Sequence, residues 1–164
     1  MLLDLKKVFS GEQESLSFDY ELDLSSTDIN RTYPFVSPVS IQGTVKSHDG
    51  FATLDADVSF VFSIPCDRCA RQIEKHYQYK FSHVLVLSLE KDDEEHYVEV
   101  QDYKLDLDEL IRADILLELP TKFLCSEDCK GLCPVCGKDL NEGPCNCNTH
   151  QVDPRLEVLK TLID

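Results

Sequence analysis

Eight cysteines set in four close pairs dictate much of what this 164-residue chain can become. The pairs are Cys66-x-x-Cys69, Cys125-x-x-x-Cys129, Cys133-x-x-Cys136 and Cys145-x-Cys147. Eight thiols suffice for two four-cysteine tetrahedral zinc sites. The stretch CPVCG has the form of a zinc knuckle, and Gly137 permits the tight turn in which backbone N–H groups face a thiolate. The following GKDLNEGP is rich in turn formers, which lets Cys145 and Cys147 fold back on the knuckle. Cys133, Cys136, Cys145 and Cys147 are therefore assigned to one local site. Cys66 and Cys69 remain for Cys125 and Cys129, a clip that closes a long loop. Other partitions satisfy the same counts. His150, three residues after Cys147, is placed to substitute as a ligand but reads as a surface histidine.

Three rival uses of the thiols fit less well. Disulfides need an oxidising compartment, and MLLDLKKVFSGEQ has no apolar core and cleavage site of a signal peptide. A redox CxxC wants a helix N-terminus after a parallel strand, whereas CDRC falls between two runs with strand periodicity. Cys129, Cys133 and Cys136 match the CxxxCxxC spacing of radical enzymes that hold an iron–sulfur cluster. Those enzymes need a large α/β barrel, and Cys125, Cys145 and Cys147 would be left over beside the CDRC pair.

The rest of the chain reads as β structure. In 51–64, Ala52, Leu54, Ala56, Val58, Phe60, Phe62 and Ile64 alternate with mostly polar neighbours, the mark of a strand with one buried face. Val39, Ile41, Gly43 and Val45 alternate before it, and the Asp49-Gly50 step joins the two as a hairpin. A third long strand follows CDRC, alternating through Ile73, Lys75, Tyr77, Tyr79, Phe81, His83, Leu85 and Leu87. LLDLKKVF and LSFDYELDL read as shorter strands. After an acidic loop and a short strand, Leu107, Leu110, Ile111, Ile115 and Leu117 or Leu119 recur at helical spacing, with Asp106 or Asp108 as cap and Pro120 as stop. Asp153 and Pro154 open a terminal helix expected to dock on the body. The expected fold is mainly β with short helices, an antiparallel barrel-like or sandwich core. A β-rich domain over 1–121 carries the helix at about 107–119. A cysteine-rich segment over 122–150 and the helix over 151–164 complete it.

The formal charge is −15, with twelve acidic and three basic residues in 88–119. Such a chain does not bind nucleic acid by bulk electrostatics; it suits a basic protein partner, or RNA at a local basic patch. The candidate patch is Arg68, Arg71, Lys75 and Lys80, where Tyr77, Tyr79 and Phe81 offer rings to stack on bases. The bland reading of that stripe is core plus solvated face. No run of about 18 apolar residues exists, so a cytoplasmic chain is expected, with no membrane and no small-molecule substrate. There is no Gly-rich phosphate loop and no nucleophile elbow. The histidines are scattered, and no enzyme activity is expected.

VFSIPCDRCARQIE, ELPTKFLCSEDCKGLCPVCGKDLNEGPCNC and DPRLEVLKTL together resemble the YceD family of large ribosomal RNA subunit accumulation proteins. The resemblance covers nearly the whole chain. It implies a non-enzymatic ribosome biogenesis factor that supports accumulation or processing of large-subunit ribosomal RNA. The partner would be that RNA or a basic ribosomal protein. The alternatives are a direct RNA-binding zinc module and, further off, a redox or iron–sulfur protein. Some family members have histidine at the position of Cys125 and lack the last four cysteines, which fits one clip site and one separate knuckle.

Overall fold

A computed structural model describes residues 1–88 and 97–147. The expected terminal helix over 151–164, His150 and much of the acidic loop lie outside the described residues. Two compact units share the chain: residues 1–64 with 74–121, and residues 65–73 with the cysteine-rich segment from 122.

The first unit is built on a five-stranded sheet. Its strands are β2 (Ser15–Leu22), β3 (Val39–Ser47), β4 (Ala52–Pro65), β5 (Gln72–Val86) and β6 (Tyr97–Glu99), neighbours in that order. β1 (Leu2–Asp4) pairs antiparallel with β7 (Lys104–Asp106) in a separate two-stranded sheet. The architecture is mainly β with few short helices, as expected, but among the described residues the sheets are open. The pairing is not wholly antiparallel either, since β6 runs parallel to β5, Val84 opposite Tyr97. Parallel neighbours cannot be joined by a tight turn, and a longer connection separates these two.

The alternation of β4 carries directly into burial. Ala52, Leu54, Ala56, Val58, Phe60, Phe62 and Ile64 are all buried, and Val39, Ile41 and Val45 of β3 join them. The β3–β4 hairpin closes with Ser47 opposite Ala52 and with Gly50 at φ +90. Gly43 is needed for packing: a Cβ there would lie 2.3 Å from the Asp55 carbonyl oxygen and 2.5 Å from the ring of Phe18, its cross-strand partner. On β5 Tyr77, Tyr79, Phe81 and His83 are half-buried, as are Ile73, Val84 and Val86. The β5 rings continue an aromatic row: Phe35 meets Phe62 edge-on at 5.2 Å, and Tyr77 stacks on Phe60 at 5.5 Å. Burial pushes the Tyr79 phenol up to about 12.

Where LLDLKKVF was expected to be one strand, it breaks after Asp4 into the one-turn helix α1 (Lys6–Phe9). Asp4 Oδ1 accepts from the Lys6 N–H at 3.0 Å, and the three-residue spacing of Leu5 and Val8 buries both on one side. α2 spans Leu107–Glu118. Asp106 caps it, accepting from the N–H groups of Asp108 and Glu109 at 3.1 and 3.4 Å. Leu107, Ile111 and Ile115 are fully buried, while Leu117 is 85% exposed, so Leu119 rather than Leu117 extends the apolar face. His83 Nε2 of β5 lies 2.7 Å from Asp114 Oδ2 of α2 and ties the helix to the sheet.

Candidate metal centres

Both centres belong to the second unit. The first begins where β4 ends, in the turn Cys66–Arg71. The Cys66 N–H donates to the Arg71 carbonyl at 2.8 Å and the Ala70 N–H donates to the Cys66 carbonyl at 2.9 Å. The second turn, Cys133–Lys138, repeats that pattern: the Cys133 N–H donates to the Lys138 carbonyl at 2.8 Å and the Gly137 N–H to the Cys133 carbonyl at 2.9 Å. Gly137 sits at φ +73, and in the first turn Ala70 occupies the same left-handed region at φ +56. The two CxxC turns are one backbone device used twice, with a glycine in one and an alanine in the other.

The cysteines gather into two groups. Cys66, Cys69, Cys125 and Cys129 form one, and Cys133, Cys136, Cys145 and Cys147 the other; within each, the sulfurs all lie within 4.8 Å of one another. All eight are free thiols. In the first group Cys66 Sγ is 3.8 Å from Cys129 Sγ and Cys69 Sγ is 3.6 Å from Cys125 Sγ. A zinc–sulfur bond of about 2.3 Å makes the edge of a tetrahedron about 3.8 Å. The sulfurs thus enclose room for a single tetrahedral ion. A cluster, in which each thiolate binds its own iron, would spread them further.

The electrostatics ask for a cation. Burial raises Cys66, but the N–H groups of Cys69, Arg68 and Cys125 outweigh it and hold the thiol down at about 6. The N–H groups of Cys136 and Val135 likewise bring Cys133 to about 6. The Arg71 N–H favours the Cys69 thiolate, yet burial and the neighbouring sulfurs push Cys69 up to about 12. The Cys136 sulfur does the same to Cys147. Backbone donors thus favour thiolates that, at van der Waals contact, cannot all ionise unless positive charge sits between them.

The clip is also held by contacts that do not use sulfur. Asp67 and Phe123 are cross-linked: the Asp67 N–H donates to the Phe123 carbonyl at 2.8 Å, and the Phe123 N–H donates to Asp67 Oδ2 at 2.7 Å. Arg68 Nη1 donates to the carbonyls of Cys129 and Glu127 at 2.8 and 3.3 Å. The Leu132 N–H donates to the Arg68 carbonyl at 3.1 Å, and a Cβ on Gly131 would come within 2.9 Å of that oxygen. Burial separates the groups: Cys66, Cys69 and Cys129 are buried, as is Cys133, whereas Cys136 is exposed and Cys145 and Cys147 are half-buried.

The four candidate basic contacts fall on different units. Arg68 and Arg71 belong to the second, and Arg71 pairs with Asp139 at 3.3 Å. Lys75 and Lys80 belong to the first; Lys80 pairs with Asp57 at 3.0 Å, and Lys75 is exposed with no ion-pair partner among the described residues. Sequence reasoning did not single out Arg68 as a clamp on carbonyls, nor Asn141, whose side-chain amide reaches Cys129 Sγ at 3.4 Å. Neither carries a signal in spacing, since an arginine inside CxxC and an asparagine in a turn read as solvated.

No helix among the described residues is long and apolar enough to cross a membrane. No solved structure matches the chain. Among curated proteins, YlbN of Bacillus subtilis is 28% identical over 92% of this chain and 90% of its own length. Rv2926c of Mycobacterium tuberculosis is 32% identical over 60% of this chain and 49% of its own length. The chloroplastic large ribosomal RNA subunit accumulation protein YCED homolog 1 of Arabidopsis thaliana is 24% identical over 75% of this chain. The chain spans about half the length of the mycobacterial and plant relatives. Residues 54–163, which include every cysteine, match the family described as large ribosomal RNA subunit accumulation protein YceD, and the chain belongs to that family.

Proposed function

We propose that this protein is a non-enzymatic factor that supports accumulation of large-subunit ribosomal RNA, with two structural zinc ions holding its second unit in shape. One observation carries the structural role of the metal. Each group supplies four sulfurs within 4.8 Å of one another, a full tetrahedral set that leaves no coordination position to activate water or bind substrate. The family description supplies the process. With a net charge of −15 the chain favours a basic ribosomal protein as its direct partner and the ribosomal RNA through it. The protein works in the cytoplasm, where thiols stay reduced and available to zinc.

The test is depletion of the protein and complementation with a clip variant, Cys66→Ser with Cys129→Ser. The ratio of large- to small-subunit ribosomal RNA is expected to fall on depletion and to stay low with the variant. A normal ratio in depleted cells would contradict the role, and full rescue by the variant would contradict the need for the clip.

Direct RNA contact through Arg68, Arg71, Lys75 and Lys80 is the second reading, and exposed Lys75 favours it most. Lys75→Glu should weaken binding to a large-subunit RNA fragment. Unchanged binding would remove that reading, because the other three cations already have partners in the fold.

A further inference from the structure

The two metal groups are not independent modules. Cys129 belongs to the first group and Cys133 to the second, so only the three residues 130–132 separate them. The loop between Cys136 and Cys145, whose ends are both ligands of the second group, carries Asp139 and Asn141 back to the first. Asn141 Nδ2 donates to Cys129 Sγ at 3.4 Å and to Asp139 Oδ1 at 2.7 Å, while Asn141 Oδ1 accepts the Lys130 N–H at 2.8 Å. The Lys130 donor fixes which end of the amide is oxygen, so the NH2 end faces the sulfur. Asp139 in turn meets Arg71, the last residue of the first CxxC turn, at 3.3 Å. The Leu140 N–H donates to the Gly131 carbonyl at 2.9 Å, pinning the loop onto the segment between the groups.

From this chain of contacts we infer that the two metal sites bind cooperatively, and that Asn141 is the positioning residue that couples them. The inference rests on the zinc reading above. Metal at the second group closes the loop over 137–144 and fixes Asn141; its amide then stabilises the Cys129 thiolate that the first metal needs. Outer partners of this kind change metal affinity by about 10–100-fold. By linkage, metal at the first group must favour the second by the same factor.

The experiment follows zinc competition against a chromophoric chelator and the cobalt(II) spectrum of the full chain. Asn141 is exposed, and the far-ultraviolet circular dichroism of each zinc-loaded variant checks that its fold is kept. Asn141→Ala should lower the affinity of the first site about tenfold. It should also move the sulfur-to-cobalt charge-transfer band to lower energy, because the sulfur loses a donor. Asn141→Asp should lower affinity further, since a carboxylate then faces a thiolate. Opening the second site with Cys145→Ser and Cys147→Ser should weaken the first site by a similar factor, and adding Asn141→Ala to that variant should do little more. Two zinc ions bound with the first site unaffected by Asn141→Ala would overturn the coupling and leave the structural zinc standing. Full additivity of the Asn141 and Cys145/Cys147 changes would also overturn it. Failure of the unaltered chain to bind zinc at all would remove both readings.

Discussion

At the scale of single residues, the repeated CxxC turn is the clearest lesson. Both turns need a left-handed residue one place after the second cysteine, and only one of them has glycine there. A Cβ in that region costs roughly 1–2 kcal/mol, partly offset because glycine gives the unfolded chain more freedom. Ala70→Gly is therefore expected to stabilise the protein by about 0.5–1 kcal/mol, read as a higher denaturation midpoint with zinc present. An unchanged or lower midpoint would contradict the strain at Ala70. Gly43 gives the opposite case. Gly43→Val pushes a side chain into the Asp55 carbonyl and the Phe18 ring, an overpacking expected to cost about 1–3 kcal/mol. CPVCG displays its glycine openly, while CDRCA hides the same turn behind an alanine, so only one of these backbone needs was legible in the sequence. The Gly43 contact was not legible at all, because register decides which ring faces it.

At the scale of elements, periodicity translated faithfully wherever it was long. The seven alternating apolar residues of β4 are all buried, because a period of two admits a single facing. α2 was legible in its extent, while its sequence admits Asp106 or Asp108 as cap and the hydrogen bonds to Asp106 decide between them. The helix was ambiguous at its end, where Leu117 and Leu119 compete for the apolar face and only packing selects. Ile111→Ala should therefore cost about 2–5 kcal/mol in urea unfolding, whereas Leu117→Ala should stay within about 0.5 kcal/mol. Similar costs at the two sites would contradict the observed facing. LLDLKKVF is a strand only over Leu2–Asp4; its apolar residues satisfy both periods over so short a run, and the Asp4 turn starts the helix. The parallel pairing of β6 escaped for a related reason, since three residues carry no directional signal. Two sets of four cysteines were legible from counts and spacing, but the counts allowed other partitions, and sequence could not supply the supporting set of Asp67, Arg68 and Asn141. Acid should act on this support. The Asn141 N–H and the Arg71 guanidinium hold the Asp139 carboxyl below the usual carboxylate range. The stabilisation it brings is present above the pH where an unfolded aspartate titrates and is lost as pH falls through its depressed folded value. Asp139→Asn should flatten the acid limb of the stability profile; an unaltered limb would contradict the ion pair's contribution.

At the scale of the whole molecule, the two units differ in what sustains them. The first buries an apolar face along β3, β4, α1 and α2. The buried cluster around the clip in the second consists of Cys66, Cys69 and Cys129, with Ile73, Leu124 and Cys125 packed against it. Chelation should therefore unfold the second unit, seen as fast amide exchange over 66–71 and 123–145, while protection persists in β3 and β4. Loss of protection throughout the sheet would contradict that division. The account depends above all on what the eight sulfurs hold. Elemental mass spectrometry of protein purified without added metal, taken with a visible spectrum, tests this most directly. Two zinc ions per chain and a colourless solution are predicted, whereas iron with acid-labile sulfide, or a metal-free folded chain, would contradict the structural reading of both centres.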